Sequence, residues 1–207
     1  MIQITISQTI PESGSVALLA SAGSAFENAG FSDEEAAYVK EQFAAKASHI
    51  ALCKSGRWYF VQQVEPNASE SAAKEKMRCG AAKMHQAVVQ QKIRSLTIVD
   101  LTGSAGLVFA FAEGMALSNY QFLKYSGKKD EKRHSLSELS IAGDADTAEV
   151  ECLNRVLEAV CKARDLVNEP ASALVATPAW PSCGAPSSVS ATTGAGESRP
   201  PWSLSSS

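Results

Sequence analysis

The sequence lacks several features that would place it in a particular class of protein. Only 7% of its 207 residues are aromatic, and 22 acidic residues outnumber 19 basic ones, which gives a formal net charge of -3. Because nucleic-acid binding depends on an excess of basic side chains that neutralise phosphates, we expect no nucleic-acid partner. No run reaches the roughly 18 consecutive apolar residues that a membrane span needs, so we expect no membrane partner either.

The cysteines and the first residues also lack a recognisable pattern. Five cysteines are widely spaced, odd in number and without a CxxC pair: Cys53, Cys79, Cys152, Cys161 and Cys183. This usage is typical of reduced thiols in a cytosolic protein and not of a disulfide framework. Residues 1–15 contain neither the basic nor the apolar segment of a secretory signal. We therefore expect a cytoplasmic protein.

Local motifs of catalysis and metal binding are missing. The sequence has no HExxH and no GxSxG, and His49, His85 and His134 are isolated and belong to no recognisable metal-binding pattern. Cys152 and Cys161 fall on one predicted helix about 13 Å apart along its axis, too far to bind the same ion. The residues themselves therefore assign no catalytic, cofactor-binding or metal-binding side chain.

What the sequence does contain is an alternation of strand and helix patterns. Strands are predicted at 2–6, 16–20, 49–54, 57–64, 95–101, 120–125 and 136–141. Helices are predicted from a capping box at Ser32 to Ala47, at 68–92, at 107–119 and from Asp146 onward, with a solvated, mixed-charge loop at 126–134. This order predicts an α/β fold with a mixed sheet and helices on both of its faces.

One turn is a candidate for phosphate binding. Gly-Ser-Ala-Gly at 103–106 joins the apolar strand 95–101 to the following helix, where free N–H groups and the helix dipole would attract an anion. The turn lacks the third glycine of a dinucleotide fingerprint and the lysine of a P-loop. A tight strand-to-helix turn is the favoured interpretation, and a phosphate site is the alternative.

The composition changes near residue 177. Residues 178–207 contain nine serines and five of the chain's eight prolines, but only two charged residues. Such a segment cannot bury enough apolar surface to offset its ordering entropy, so we expect it to be disordered.

Three motifs carry a resemblance to a known family. The sharpest is ARDLVNEP at 163–170, followed by Thr177-Pro178, and the others are AEGMALSNYQFLKY at 112–125 and RCGAAK at 78–83. Together they resemble segments of the leucyl aminopeptidase family of hexameric cytosolic metallopeptidases. The first motif is similar to that family's junction between the N-terminal and catalytic domains. The resemblance extends over about residues 1–177.

The resemblance implies a division of the chain into three parts. Residues 1–145 would be the family's macrodomain-like, non-catalytic N-terminal domain, residues 146–170 a linker helix, and residues 171–207 a truncated junction with a disordered tail. The family holds two divalent metals, zinc or manganese, on Lys, Asp and Glu in motifs resembling GKG…DTGG and NTDAEGR. Neither motif is present, and Glu197 is the single carboxylate after residue 177. We therefore expect no metal ligands and no aminopeptidase activity from this chain alone.

The missing domain also leads to an expectation about assembly. In the family, the apolar stripe of the linker helix would pack partly on the catalytic domain and on neighbouring subunits. We therefore expect Leu157, Val160 and Val167 to be partly exposed here. The consequence would be concentration-dependent association in place of the family's homo-hexamer. We attribute the departure at the tail to a frameshift, a gene-model error or a degraded gene.

Two other functions remain open. A stand-alone macro-like module could bind a phosphorylated small ligand such as ADP-ribose through the 103–106 turn. However, its early segment offers only Glu12 and Glu27 where such modules need an aspartate. The chain could also be an unrelated α/β interaction domain.

Overall fold

The computed structural model describes residues 2–65 and 69–170, and these contain one six-stranded sheet. Its strands are β1 (Ile4–Ser7), β2 (Ser15–Ala20), β3 (His49–Lys54), β4 (Arg57–Gln63), β5 (Ser95–Asp100) and β6 (Glu138–Ala142). The helices are α1 (Asp33–Ala44), α2 (Glu70–Gln90), α3 (Ala105–Ser118), α4 (Lys129–Lys132) and α5 (Thr147–Asn168), with a 3-10 turn at Phe26–Ala29. The strand order is β1-β6-β5-β2-β4-β3, parallel except for β3 at one edge. The predicted mixed α/β fold is confirmed.

The sheet is covered on both faces, because its central strand is apolar on both sides. Every residue of β2 is buried between β4 and β5. Ala17 and Leu19 point into a core formed with α2, α3 and α5, whereas Val16 and Leu18 point into a second core formed with α1 and the 3-10 turn. Successive strand side chains alternate between faces, so one short strand supports both layers.

Two local sequence signals are realised as predicted. The Ser32 hydroxyl accepts a hydrogen bond from the Glu35 N–H at 3.3 Å, and the Glu35 carboxylate accepts one from the Ser32 N–H at 2.9 Å. These bonds satisfy two N–H groups at the start of α1. Ser55 and Gly56 form the two-residue turn between β3 and β4, both with positive φ (50° and 77°). That geometry matches the twist of an antiparallel hairpin.

The strand predicted at 120–125 is wrong. The segment contains no strand, and both sides of β6 are already paired, with β1 and with β5. Its tyrosines instead contact the last helix, where Tyr120 donates a hydrogen bond to Asp165 and Tyr125 donates one to Glu169. The aromatic content therefore reflects packing against a helix and not strand pairing.

The expected exposure of the last helix is wrong at Leu157 and right at Val167. Leu157 is 1% exposed, Val160 is half-buried and Val167 is 85% exposed. Helix α5 lies against α3 and the edge strand β1, where the Asn154 side chain hydrogen-bonds both the N–H and the C=O of Ile4 (2.9 and 2.8 Å). The domain itself therefore buries Leu157 and partly buries Val160, two residues of the stripe expected to need another domain.

The sequence also predicts a disordered tail and no membrane-spanning segment. Residues 171–207, including the tail predicted to be disordered, lie outside the described residues. None of the helices in residues 2–65 and 69–170 is long and apolar enough to cross a bilayer.

Candidate functional site

A cavity of about 260 Å³ lies at the carboxyl ends of β5 and β6, where α/β sheets commonly bind ligands. Gly103 and Ala105 of the predicted 103–106 turn form part of its wall. Asp100 and Asp144 also line it, and apolar side chains of α3 and β6 complete it. This is the place at which a phosphorylated ligand would be expected.

The Asp100 carboxylate binds one N–H of that turn, from Ser104, and two donors of Thr102 just before it. One of its oxygens accepts hydrogen bonds from the N–H and the hydroxyl of Thr102, both at 2.7 Å, and the other accepts the Ser104 N–H at 2.7 Å. Asp144 adds a second carboxylate to the wall, and none of the described lining residues is basic. Negative charge in the wall repels phosphate. The geometry is that of a self-capped tight turn, which argues against the phosphate alternative.

The sequence contains a local signal for this cap. An Asp followed by hydroxyl residues at the second and fourth positions, as in Asp100-Leu-Thr102-Gly-Ser104, is typical of an aspartate turn that bonds its own backbone.

Two histidines that are isolated in the sequence lie in contact. The rings of His85 and His134 meet edge to face with centroids 5.0 Å apart, and the His85 Nε2–H donates to the Asn119 side-chain oxygen at 3.1 Å. Asn119 in turn donates to the Leu136 C=O at 3.0 Å. Burial lowers the pKa of His85, which is 5% exposed, and the facing His134 lowers it further. The pair fastens the 119–136 segment onto α2 and is a packing feature.

The described residues form no metal site. No three His, Cys, Asp or Glu side chains within residues 2–65 and 69–170 converge as ligands for one ion. Cys53, Cys79 and Cys152 are exposed free thiols, whereas Cys161 is buried, and burial raises its pKa. Cys183 lies outside the described residues, and the expectation that the whole chain lacks metal ligands stays a prediction.

A larger cavity, of about 480 Å³, lies between the 119–137 segment and α5. Tyr120, Leu123, His134, Cys161 and Asp165 are among its lining residues. Several of its polar groups are bonded within the domain, including Asn119 to Leu136 and Tyr120 to Asp165. Through Asp165 it borders the 163–170 motif.

The polar residues of the 163–170 motif bond the 117–125 segment, and we call this set of contacts the clasp. Asp165 accepts from the Tyr120 hydroxyl at 2.7 Å, and Glu169 accepts from both Lys124 and Tyr125 at 2.5 Å. The remaining contacts are Arg164 to the Leu117 C=O at 3.1 Å, the Arg164 guanidinium over the Tyr120 ring, and Asn168 to the Tyr120 hydroxyl at 3.4 Å. Two of the three family-like motifs therefore contact each other.

The electrostatics of the clasp follow from these contacts. The hydrogen bond from Lys124, followed by that from Tyr125, holds the pKa of Glu169 below its usual value. The bond to Glu169 correspondingly raises the pKa of Lys124 and of Tyr125. Desolvation is the main reason that the pKa of Tyr120 is raised, with the bond to Asp165 second. The motif residues are thus held in ionic and hydrogen-bonded pairs.

The third motif, at 78–83, also has a structural role. The Arg78 Nε–H donates to the Glu113 carboxylate at 2.7 Å, which joins α2 to α3. Gly114 lies directly against the α2 backbone, since a Cβ at that position would be 2.6 Å from the Arg78 carbonyl oxygen. The AEG sequence at 112–114 therefore supplies one ion-pair partner and one close helix contact.

Comparison with known proteins gives one curated relative and several solved structures. No family model matches the chain. The probable cytosol aminopeptidase of Clostridium perfringens (strain 13 / Type A) is 33% identical over 111 residues, which are 48% of this chain and 22% of that relative. The match thus spans about a fifth of the relative's length, in its N-terminal domain.

The solved structures show the same fold. A mutant of tomato leucine aminopeptidase matches with a TM-score of 0.58 and 19% identity, over 84% of this chain and 39% of that one. The bottromycin maturation enzyme BotP, in complex with Mn, matches with a TM-score of 0.55 and 24% identity, over 78% of this chain and 33% of that one. The resemblance indicated by the motifs is confirmed.

Proposed function

We propose that this chain, given its confirmed resemblance to the leucyl aminopeptidases, is a truncated, non-catalytic N-terminal domain of that family with a macro-like fold. The family removes N-terminal amino acids from peptides. The observation that carries the proposal is the match of 33% identity to the N-terminal domain of a cytosol aminopeptidase. The contact between the two family-like motifs in the clasp supports it, because it gives them a shared structural purpose.

The role assigned to the domain is structural. The family's chemistry needs two divalent ions, which polarise the substrate carbonyl and activate water. Such ions need several converging oxygen or nitrogen ligands, and the described residues do not provide a set that fits them. In this proposal the chain contributes no metal ligand, no proton transfer and no substrate contact to the reaction.

A domain exchange tests the proposal directly. Residues 1–170 would replace the matched N-terminal domain of the Clostridium perfringens relative, and the control would be that relative re-joined to its own domain at the same junction. We expect the chimera to assemble and to release a leucine-linked chromophore with added manganese or zinc. A folded chimera that neither assembles nor turns over, next to an active control, would contradict the proposal.

The isolated chain provides the complementary test. We expect no release of the same chromophore by the purified protein with either metal, because the catalytic motifs are missing from the sequence. Turnover that follows the protein through purification and disappears with a chelator would show that the assignment as non-catalytic is wrong.

The proposal extends to location and assembly. We place the protein in the cytoplasm, as expected from its reduced-thiol cysteine pattern. We expect weak, concentration-dependent association of the isolated chain, because Val156, Leu166 and Val167 are exposed on α5. Light scattering over a dilution series measures this, and a sharp hexamer that resists dilution would contradict it.

A further inference from the structure

The end of α5 is held differently from its beginning. Cys161 is the last buried residue of the helix, and beyond it Leu166 and Val167 are 44% and 85% exposed. Residues 162–169 contact the 117–125 segment through the clasp, made by Arg164, Asp165, Asn168 and Glu169. Polar contacts therefore dominate the attachment of this stretch.

The clasp also borders the larger cavity. Tyr120 and Asp165, which share its 2.7 Å hydrogen bond, both line the cavity, and so does Cys161, which is 6% exposed. Separating Tyr120 from Asp165 would remove part of the wall next to the Cys161 thiol. The state of the clasp and the accessibility of that thiol are thus connected by geometry.

Opening the clasp does not require the core to unfold. Exposed ion pairs and hydrogen bonds contribute little each, whereas the earlier part of α5 is anchored by buried Val150 and Leu157 and by the Asn154 bonds to Ile4. Proteins open locally where buried apolar contacts are few. We propose that the clasp is a latch at the edge of the 480 Å³ cavity: residues 162–169 release from the 117–125 segment while the sheet stays folded, and this release exposes the buried Cys161 thiol in the cavity wall to solutes.

The Cys161 thiol reports this opening. The test protein is the full chain with Cys53, Cys79, Cys152 and Cys183 replaced by Ser, so that Cys161 is the only thiol. Its reaction with a disulfide dye is followed at pH 8, with Tyr120→Phe and Asp165→Asn as the clasp variants. Both substitutions keep the side chain's approximate shape while removing or weakening the 2.7 Å bond. We expect labelling about fivefold faster or more in each, the factor that the loss of one net hydrogen bond gives.

Two matched controls separate the latch from general effects. Tyr38→Phe makes the same chemical change at an exposed tyrosine of α1, and Glu158→Gln breaks an ion pair with Lys162 that is not part of the clasp. Both should label at the parent rate. Labelling rates in the clasp variants that do not exceed those of the controls would overturn the proposal.

A urea series distinguishes local from global opening. If the latch opens alone, labelling should depend only weakly on low urea, because little surface is exposed. If labelling instead changes with urea as steeply as the global unfolding free energy, Cys161 reacts only in unfolded molecules, and the latch does not exist. This result is independent of whether the chain is part of an aminopeptidase.

Discussion

The first and second parts of α5 belong to one helix but are attached to the domain by different forces. Residues 147–161 bury Val150, Leu157 and Cys161 against the sheet and α3. Residues 162–168 bury no apolar side chain and are joined to the 117–125 segment by hydrogen bonds and charge. The resemblance to a family motif is concentrated near the second part, so the most recognisable residues are those that form the clasp and not those that form the core.

Leu157→Ala, in the first part of α5, is expected to lower the free energy of unfolding more than any other substitution considered below. Leu157 is 1% exposed, so truncation leaves a cavity and should lower the free energy of unfolding by about 2–5 kcal/mol. Val167→Ala, at an 85% exposed position, should change it by less than about 0.5 kcal/mol. Urea unfolding followed by circular dichroism measures both, and a comparable loss in the two variants would mean that Val167 is covered in solution.

Asn154→Ala tests whether the first part depends on burial alone. The Asn154 side-chain amide hydrogen-bonds both the N–H and the C=O of Ile4, and Ile4 is 2% exposed. Removing it leaves two backbone groups of the edge strand without these partners, at a cost of about 1–3 kcal/mol. The same urea measurement applies, with Asn168→Ala in the second part as the control. A loss in Asn168→Ala equal to that in Asn154→Ala would remove the distinction between the two parts.

The signals that sequence alone identifies are local. The Ser32–Glu35 capping box and the Ser55-Gly56 turn involve neighbours in the chain, so their residue types determine their geometry. The strand prediction at 120–125 is wrong because aromatic residues are common both in strands and in segments that pack on helices. Only the tertiary partner determines which of the two structures forms. The burial of Leu157 cannot be predicted for the same reason, since the spacing of apolar residues along α5 indicates an apolar stripe but not what covers it.

The site shows the same limit more strongly. The resemblance identified the 163–170 motif, but not its bonds to Tyr120, Lys124 and Tyr125, which are distant in sequence. His85 and His134 lie far apart in the sequence, and nothing along the chain indicates their contact. The Asp100 turn is different, because its pattern is local and could have been predicted.

As the pH falls from 7 to 5, the free energy of unfolding should fall because of His85 in the core, at a higher pH than that at which the clasp responds. Burial lowers the pKa of His85 below its usual 6.5, so the unfolded chain takes up a proton more readily than the folded one. The contribution of neutral His85 to the free energy of unfolding is fully present above pH 6.5 and is lost as the pH falls through the lowered pKa. We expect the unfolding free energy to fall over this range and to fall less in His85→Gln. An identical pH dependence in the two proteins would show that another group is responsible.

The smallest expected effect is the release of the clasp in acid, and its cause is hydrogen bonding and charge and not burial. Lys124 and Tyr125 hold the pKa of Glu169 below its usual 4.5, so the folded chain takes up that proton less readily than the unfolded one. The contribution of ionised Glu169 to the free energy of unfolding is therefore present above pH 4.5 and is lost as the pH falls through the lowered pKa. Because protonation removes the charge that attracts Lys124, amide hydrogen exchange in residues 162–169 should accelerate below pH 4.5 relative to residues 147–161, after correction for intrinsic rates. Glu169→Gln should exchange fast in the same residues already at pH 6 and should no longer respond to acid. Equal acceleration along the whole of α5 would show that acid acts on the helix as one unit, and the two parts would then not differ in how they are held.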